Sequence, residues 1–103
     1  MKETENEFDP SPIDTSHINL PQDLVELTEF LALNVHESWS KQKKSNGWVF
    51  AEILDTENKK NPYLVPYEQL PEHMKEYDRI SAIQTLKLIL ALGYKIISSK
   101  EEE

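Results

Sequence analysis

His36, Trp39 and Lys43 recur at three- and four-residue steps. On a helix, at about 100° per residue, they fall within about 60° of one another. An indole beside an imidazole and an ammonium can serve as a recognition platform. The ring stacks on a planar base while the cation meets an anion. The same three side chains also suit a packing role. In that reading Trp39 caps the edge of the core, His36 bonds a backbone group and Lys43 is solvated. Packing is the commoner use of a tryptophan at a helix flank. Three more residues complete the candidate set. Trp48 directly follows Gly47, where glycine supplies a positive φ or a close approach. Its ring reads as core first and as a second ligand platform otherwise. Tyr67 follows Pro66 on what reads as an edge, and its hydroxyl can reach a ligand, a partner or a structural acceptor. Arg79 is the only arginine. Its fork suits an anionic ligand or a carboxylate pair, with Asp55 and Asp78 as candidate partners.

Catalysis finds little support in the residues. His17, His36 and His73 show no metal-ligand spacing with acidic residues. With only Gly47 and Gly93, the chain has no glycine-rich phosphate loop, and no nucleophile motif stands out. Glu72 and Glu76 share a helix face, but such a pair near a helix start is ordinarily solvated and favoured by the helix dipole. There are no cysteines. That removes disulfides, thiol chemistry and thiolate metal sites, and it suits a reducing compartment. The expectation is a non-enzymatic, cytoplasmic protein without cofactor or metal.

The net charge is −8. Residues 1–10 carry four carboxylates against Lys2, and residues 100–103 carry three against Lys100, so residues 11–99 hold only −3. The acidity is mostly a property of the tails, and acidic tails solvate. Its sign argues against nucleic-acid binding, which needs clustered lysine and arginine. The longest apolar run, Leu88 to Leu92, is five residues, whereas a membrane span needs ~20. The start lacks the basic and apolar regions of a secretory leader.

These side chains need a scaffold, and 103 residues allow one domain with a single modest core. The expected organisation is an acidic disordered tail over residues 1–7, one domain over 8–98 and an acidic tail over 99–103. The fold class is α+β: two main helices, a few short strands and an extended Pro-rich N-terminal strap. Pro10, Pro12 and Pro21 keep the strap irregular, with Phe8, Ile13, Ile18 and Leu20 as anchors. Helix one is predicted from Pro21 to the Lys41–Lys44 cluster, with Leu24, Leu27, Leu31 and Val35 as its core stripe. Asn46-Gly47 is its stop. Trp48 to Leu54 reads as a strand, and Tyr63 to Pro66 as a Pro-bounded edge strand. Helix two starts at Leu70-Pro71-Glu72. Ala82, Ile83, Leu86, Ile89 and Leu90 form one apolar face, and Tyr77, Leu88 and Leu92 add a second. It is therefore expected to be the central helix, buried on two sides. Gly93 is its left-handed cap, and Lys95 to Ser98 is a last short strand.

Several of these residues also carry a resemblance. Asn34, His36, Glu37 and Trp39, then Gly47-Trp48, stand in fixed order with Asp55, Pro62 and Leu64-Val65-Pro66-Tyr67. Leu70-Pro71, Tyr77, Thr85, Leu86, Leu90 and Gly93-Tyr94 follow. Together they resemble the repeat domain of ryanodine receptors, the RyR domain, without gaps from about Phe8 to Tyr94. Three positions depart from the family pattern. Leu33 replaces an acid, Lys43 stands where arginine is common, and Leu54 stands where a second arginine often precedes Asp55. The resemblance implies a binding and assembly module rather than an enzyme. In the receptors such repeats come in tandem pairs that look like pseudo-twofold units. One pair carries a regulatory phosphorylation loop, and another is linked to adenine nucleotides stacked on tryptophans matching Trp39. Stand-alone copies look like candidate sensors of nucleotide-derived signals. A lone repeat without channel or loop carries over no calcium-release role.

Two functional expectations follow. In the first, a nucleotide or similar anionic, base-containing ligand stacks on Trp39. Lys43 and Arg79 meet its anion, and His36, Trp48 and Tyr67 line the pocket. In the second, the aromatic residues pack an interface and there is no small ligand. A single repeat is further expected to pair as a twofold homodimer, mimicking a tandem pair, through the Tyr63–Pro66 edge.

Overall fold

The computed structural model describes residues 7–102. Apart from Glu7, the expected N-terminal tail lies outside the described residues, as does Glu103. The elements run in the order α1 (Gln22–Val25), α2 (Thr28–Ser45), β1 (Val49–Phe50), β2 (Lys60–Asn61), a 3-10 turn (Tyr67–Gln69), α3 (Glu72–Ala91) and a 3-10 turn (Ser99–Glu102). The architecture is α+β, with two main helices and one two-stranded ribbon.

The first helix does start beside Pro21, but it is interrupted. The Thr28 hydroxyl donates to the Val25 carbonyl at 2.5 Å, occupying an acceptor that an unbroken helix would bond through its backbone. Leu27 sits at the break (φ −88°, ψ 1°). The break moves the core stripe. Leu27 is exposed, Leu24, Leu31 and Val35 are half-buried, and the buried positions on α2 are Ala32 and His36.

The far end of α2 matches its sequence cues. Lys43 and Lys44 occupy the last turn, and Gly47 takes φ +93°. The Trp48 N–H donates to the Lys43 carbonyl and the Gly47 N–H to the Lys44 carbonyl, both at 3.0 Å. This is a Schellman turn, which requires a left-handed residue at the glycine position. Lys59 adds a cation to the same end, its ammonium donating to the Asn46 carbonyl at 2.8 Å.

The strands are shorter than their sequence suggests. β1 pairs with β2 in parallel, Val49 opposite Lys60 and Phe50 opposite Asn61. The chain between them folds on itself: Asp55 and Lys60 exchange backbone hydrogen bonds at 2.9 Å, and the Asp55 carboxylate accepts from Asn58. Tyr63 to Pro66 is not a strand, because the Asn61 side chain captures the Tyr63 N–H at 2.7 Å and turns the backbone. Nor is Lys95 to Ser98, which is irregular.

α3 begins after Pro71 and ends at a second Schellman turn, with Gly93 at φ +98° and the Tyr94 N–H on the Ile89 carbonyl. It packs chiefly on α2. Ala82 is buried and Ile83, Leu86, Leu88 and Leu90 are half-buried, while Ile89 from the expected core face and Tyr77 and Leu92 from the second face are exposed. The helix is thus covered on one side rather than two, since the described chain offers little besides α2 to lay against it.

The core is small. Ala32, Tyr67 and Leu70 form its centre, joined by Leu33, Tyr63, Val65 and Met74. Of the expected strap anchors, Phe8 and Ile13 are exposed, and Ile18 and Leu20 are half-buried. The segment is tied instead by buried Thr15, whose hydroxyl donates to Gln84 Oε1 on α3 at 3.0 Å. No helix among the described residues is long and apolar enough to cross a membrane.

Candidate functional site

The six candidate residues fall along one continuous line of contacts. It begins at the end of α2. The Schellman turn folds Trp48 back over the last helical turn, so the Lys43 ammonium lies 4.2 Å from the Trp48 ring centroid. The same ammonium lies 6.0 Å from the Trp39 centroid, so the two indoles share one cation. Both indoles are half-buried, and Trp39 therefore keeps contact with solvent.

His36 is one turn back on the same flank. Its ring stacks on Trp39, with centroids 5.5 Å apart and planes 24° from parallel. The side chain is buried, and Nε2 lies 2.7 Å from the Val65 carbonyl oxygen. A carbonyl only accepts, so Nε2 carries the proton and donates. This is the backbone bond of the packing reading. It ties α2 to the segment that feeds the 3-10 turn.

Tyr67 lies at the core rather than on an edge, its ring 6.3 Å from His36 and crossed by the Lys75 ammonium at 5.5 Å. Its hydroxyl donates to Glu29 Oε1 at 3.0 Å. Burial, reinforced by the carboxylate beside it, raises the phenol above its ordinary value. Glu29 also accepts from the Arg79 Nε–H, which closes the line.

Arg79 pairs with neither Asp55 nor Asp78. Its partners are Glu29, Glu72 at 2.6 Å and Glu76 at 3.1 Å. Three carboxylates raise the guanidinium further above its usual value. Conversely, the hydrogen bond from Arg79 holds Glu29 below the ordinary glutamate range. The Glu72–Glu76 pair is thus drawn into an ion-pair network rather than simply solvated. Its spacing to Arg79, seven and three residues along one helix, was readable from the sequence. Glu29 lies 50 residues away and was not.

The structure therefore gathers His36, Trp39, Lys43 and Trp48 into one cluster. Tyr67 borders it, and Arg79 stands at the far end behind Glu29. Sequence reasoning missed Glu29, Lys75 and which carbonyl His36 bonds, and it named Asp78 only as a partner for Arg79. Asp78 is half-buried, and burial raises its carboxyl above the ordinary value while His36 opposes the shift. No local pattern marks a carboxylate whose burial is set by a neighbouring helix. An open groove of about 520 Å³ runs along α2 beside His36, whose bonding partners Ser40 and Val65 help to line it. It lies between Lys41, Lys44 and Glu37 on the helix and Leu64-Val65-Pro66 on the segment opposite. None of the six candidate residues lines it.

Among the described residues, no group of three or more histidine and acidic side chains is arranged to hold a metal ion. What the cluster offers instead is a flat aromatic surface with a cation held against it, suited to planar and anionic groups. A family model described as RyR domain matches residues 8–98 of the 103-residue chain. That range takes in both main helices, the ribbon between them and all six candidate residues, so the chain belongs to the RyR domain family.

Proposed function

We propose that this RyR domain is a non-catalytic binding module. Its recognition surface is the Trp39–Lys43–Trp48 cluster, and its ligand is a nucleotide or another small molecule combining a planar base with an anion. The observation that carries this reading is the position of Lys43. It is bracketed by two half-buried indoles, and among the described residues it has no carboxylate partner, every ion pair belonging to Arg79. An ammonium held against aromatic faces with no carboxylate paired to it can meet an incoming anion, and the indole beside it supplies stacking worth about 1–3 kcal/mol per base. Arg79, engaged by three carboxylates, contributes to the scaffold in this reading rather than to the anion. His36 sets the tilt of Trp39.

The test is a thermal-shift panel of adenine, guanine and cyclic nucleotides at millimolar concentration. A ligand that binds only the folded state must raise its apparent stability. A shift with at least one nucleotide, lost in Trp39→Ala while the melting temperature of the free protein changes little, is the expected result. No shift across the panel removes the reading.

A second reading, an interaction or assembly module without small ligand, has its own observation. Among the described residues fifteen large apolar side chains are exposed, against five buried hydrophobic ones. A surface so rich in apolar groups suits a macromolecular partner. A flat nucleotide panel together with partner-dependent stabilisation would favour it.

A further inference from the structure

The space between the two indoles is already taken, because the Lys43 ammonium lies over both rings. His36 precedes Trp39 by three residues and Lys43 follows it by four, so along the helix they flank that indole from its two ends. The imidazole stacks on one face of Trp39, 24° from parallel. It does not give way easily: His36 is buried, and its Nε2 is held 2.7 Å from the Val65 carbonyl oxygen. The face left to Trp39 looks toward the ammonium and, past it, toward Trp48. A planar guest stacked on Trp39 therefore has to enter where Lys43 now sits.

Walls and occupant differ in how firmly they are held. Trp39 stands on α2 against His36, and the Trp48 backbone is anchored by its N–H on the Lys43 carbonyl at 3.0 Å. The Lys43 ammonium has no ion pair among the described residues and rests on ring faces at 4.2 and 6.0 Å. Its four-carbon stem lets the charge swing away while the backbone stays in place. Stacking of a base is worth more per ring than a cation–π contact at a solvent-accessible site. The two ammonium distances also bound the separation of the indole centroids at about 10 Å. One ring between two others takes up about 7–8 Å, and two rings would take about 11 Å, so the slot admits a single ring system.

We infer that Lys43 is a displaceable plug in a slot walled by Trp39 and Trp48. This rests on the nucleotide reading and says how that ligand enters. The base slides between the two indoles, and the ammonium swings to the rim, where it meets the phosphate. A nucleoside has to move the same ammonium and offers it no anion. The plug thus sets a preference for nucleotide over nucleoside, in addition to any attraction it supplies.

Fluorescence titration tests the inference, because Trp39 and Trp48 are the only two tryptophans in the chain. Trp48→Phe leaves Trp39 as reporter and Trp39→Phe leaves Trp48, each keeping an aromatic wall. AMP and GMP are titrated into both. AMP, GMP, adenosine and guanosine are titrated into wild type and Lys43→Ala. The nucleotide that binds is expected to quench both reporters. Lys43→Ala is expected to bind the matching nucleoside at least ~3-fold more tightly than wild type does, and to lose the preference for the nucleotide. Alanine suits a helix, and circular dichroism checks that the variant is folded. Quenching of Trp39 alone puts the base outside the slot and overturns the inference, while the nucleotide reading stands. A nucleoside affinity unchanged or lower in Lys43→Ala does the same. No response to either nucleotide in wild type and both reporters overturns the inference and the nucleotide reading together.

Discussion

The Lys43 ammonium stands 4.2 Å over the Trp48 ring because the backbone turns back on itself between them. Gly47, at φ +93°, makes that reversal possible. A Cβ at Gly47 would meet only the Lys59 side chain, at 3.7 Å, so space is not the obstacle. The left-handed backbone is. Gly47→Ala is therefore expected to cost about 1–2 kcal/mol. For a domain this size that lowers Tm by about 4–8 °C per kcal/mol. The same exchange should loosen Trp48 from Lys43 and change the tryptophan emission. Thermal melts followed by circular dichroism and fluorescence check both effects.

His36 carries the most consequential single hydrogen bond near the cluster. It is buried and spans 29 residues of sequence to the Val65 carbonyl. His36→Ala removes the donor, leaves that carbonyl without it, and opens a gap beside Tyr67 and Trp39. The expected loss is about 2–4 kcal/mol. Urea unfolding measures it. A loss below about 0.5 kcal/mol would mean that the bond is replaced by water.

Glu29 links Arg79 to Tyr67, and its carboxyl is held below the ordinary value of 4.5. A lowered folded-state value means that the ionised form favours the fold. This contribution is fully present above the ordinary value and disappears as pH falls through the lowered one. Wild type should therefore exceed Glu29→Gln in stability near neutrality, and the difference should close on acidification. Glu29 is largely exposed, so the neutral-pH gap is expected to stay within about 1 kcal/mol. Denaturant melts of both proteins across acidic pH trace the curve, and added salt should shrink it.

Asp78 has the opposite sign. Burial raises its carboxyl above 3.8, so ionisation opposes folding. Its stability contribution is most favourable at low pH and is lost as pH rises through the raised value. Asp78→Asn keeps the shape and drops the charge. It should raise Tm at pH 7, with the gain vanishing below the ordinary aspartate range. Paired melts at neutral and acidic pH test this, and a neutral-pH loss would contradict it.

The local cues in the chain were legible in proportion to how local their physics is. Pro21 and Pro71 mark the helix starts, and Gly47 and Gly93 mark the stops, because a missing N–H and a left-handed φ are properties of single residues. The spacing of His36, Trp39 and Lys43 foretold their shared flank for the same reason: helical geometry fixes it. The strands were less legible. Trp48 to Leu54 has strand composition, yet only Val49 and Phe50 pair, since a ladder lasts only as far as its partner does and β2 has two residues.

Sequence alone determined the α+β class, the two main helices, both glycine caps and the aromatic–cationic set on α2. Tertiary structure decided that Glu29 joins Glu72 and Glu76 on Arg79, which carbonyl orients His36, and which apolar residues remain uncovered. Those outcomes depend on groups brought together from 29 to 50 residues apart. No periodicity within one segment encodes such a meeting; it is fixed when α2, the turn at Tyr67 and α3 close around Ala32.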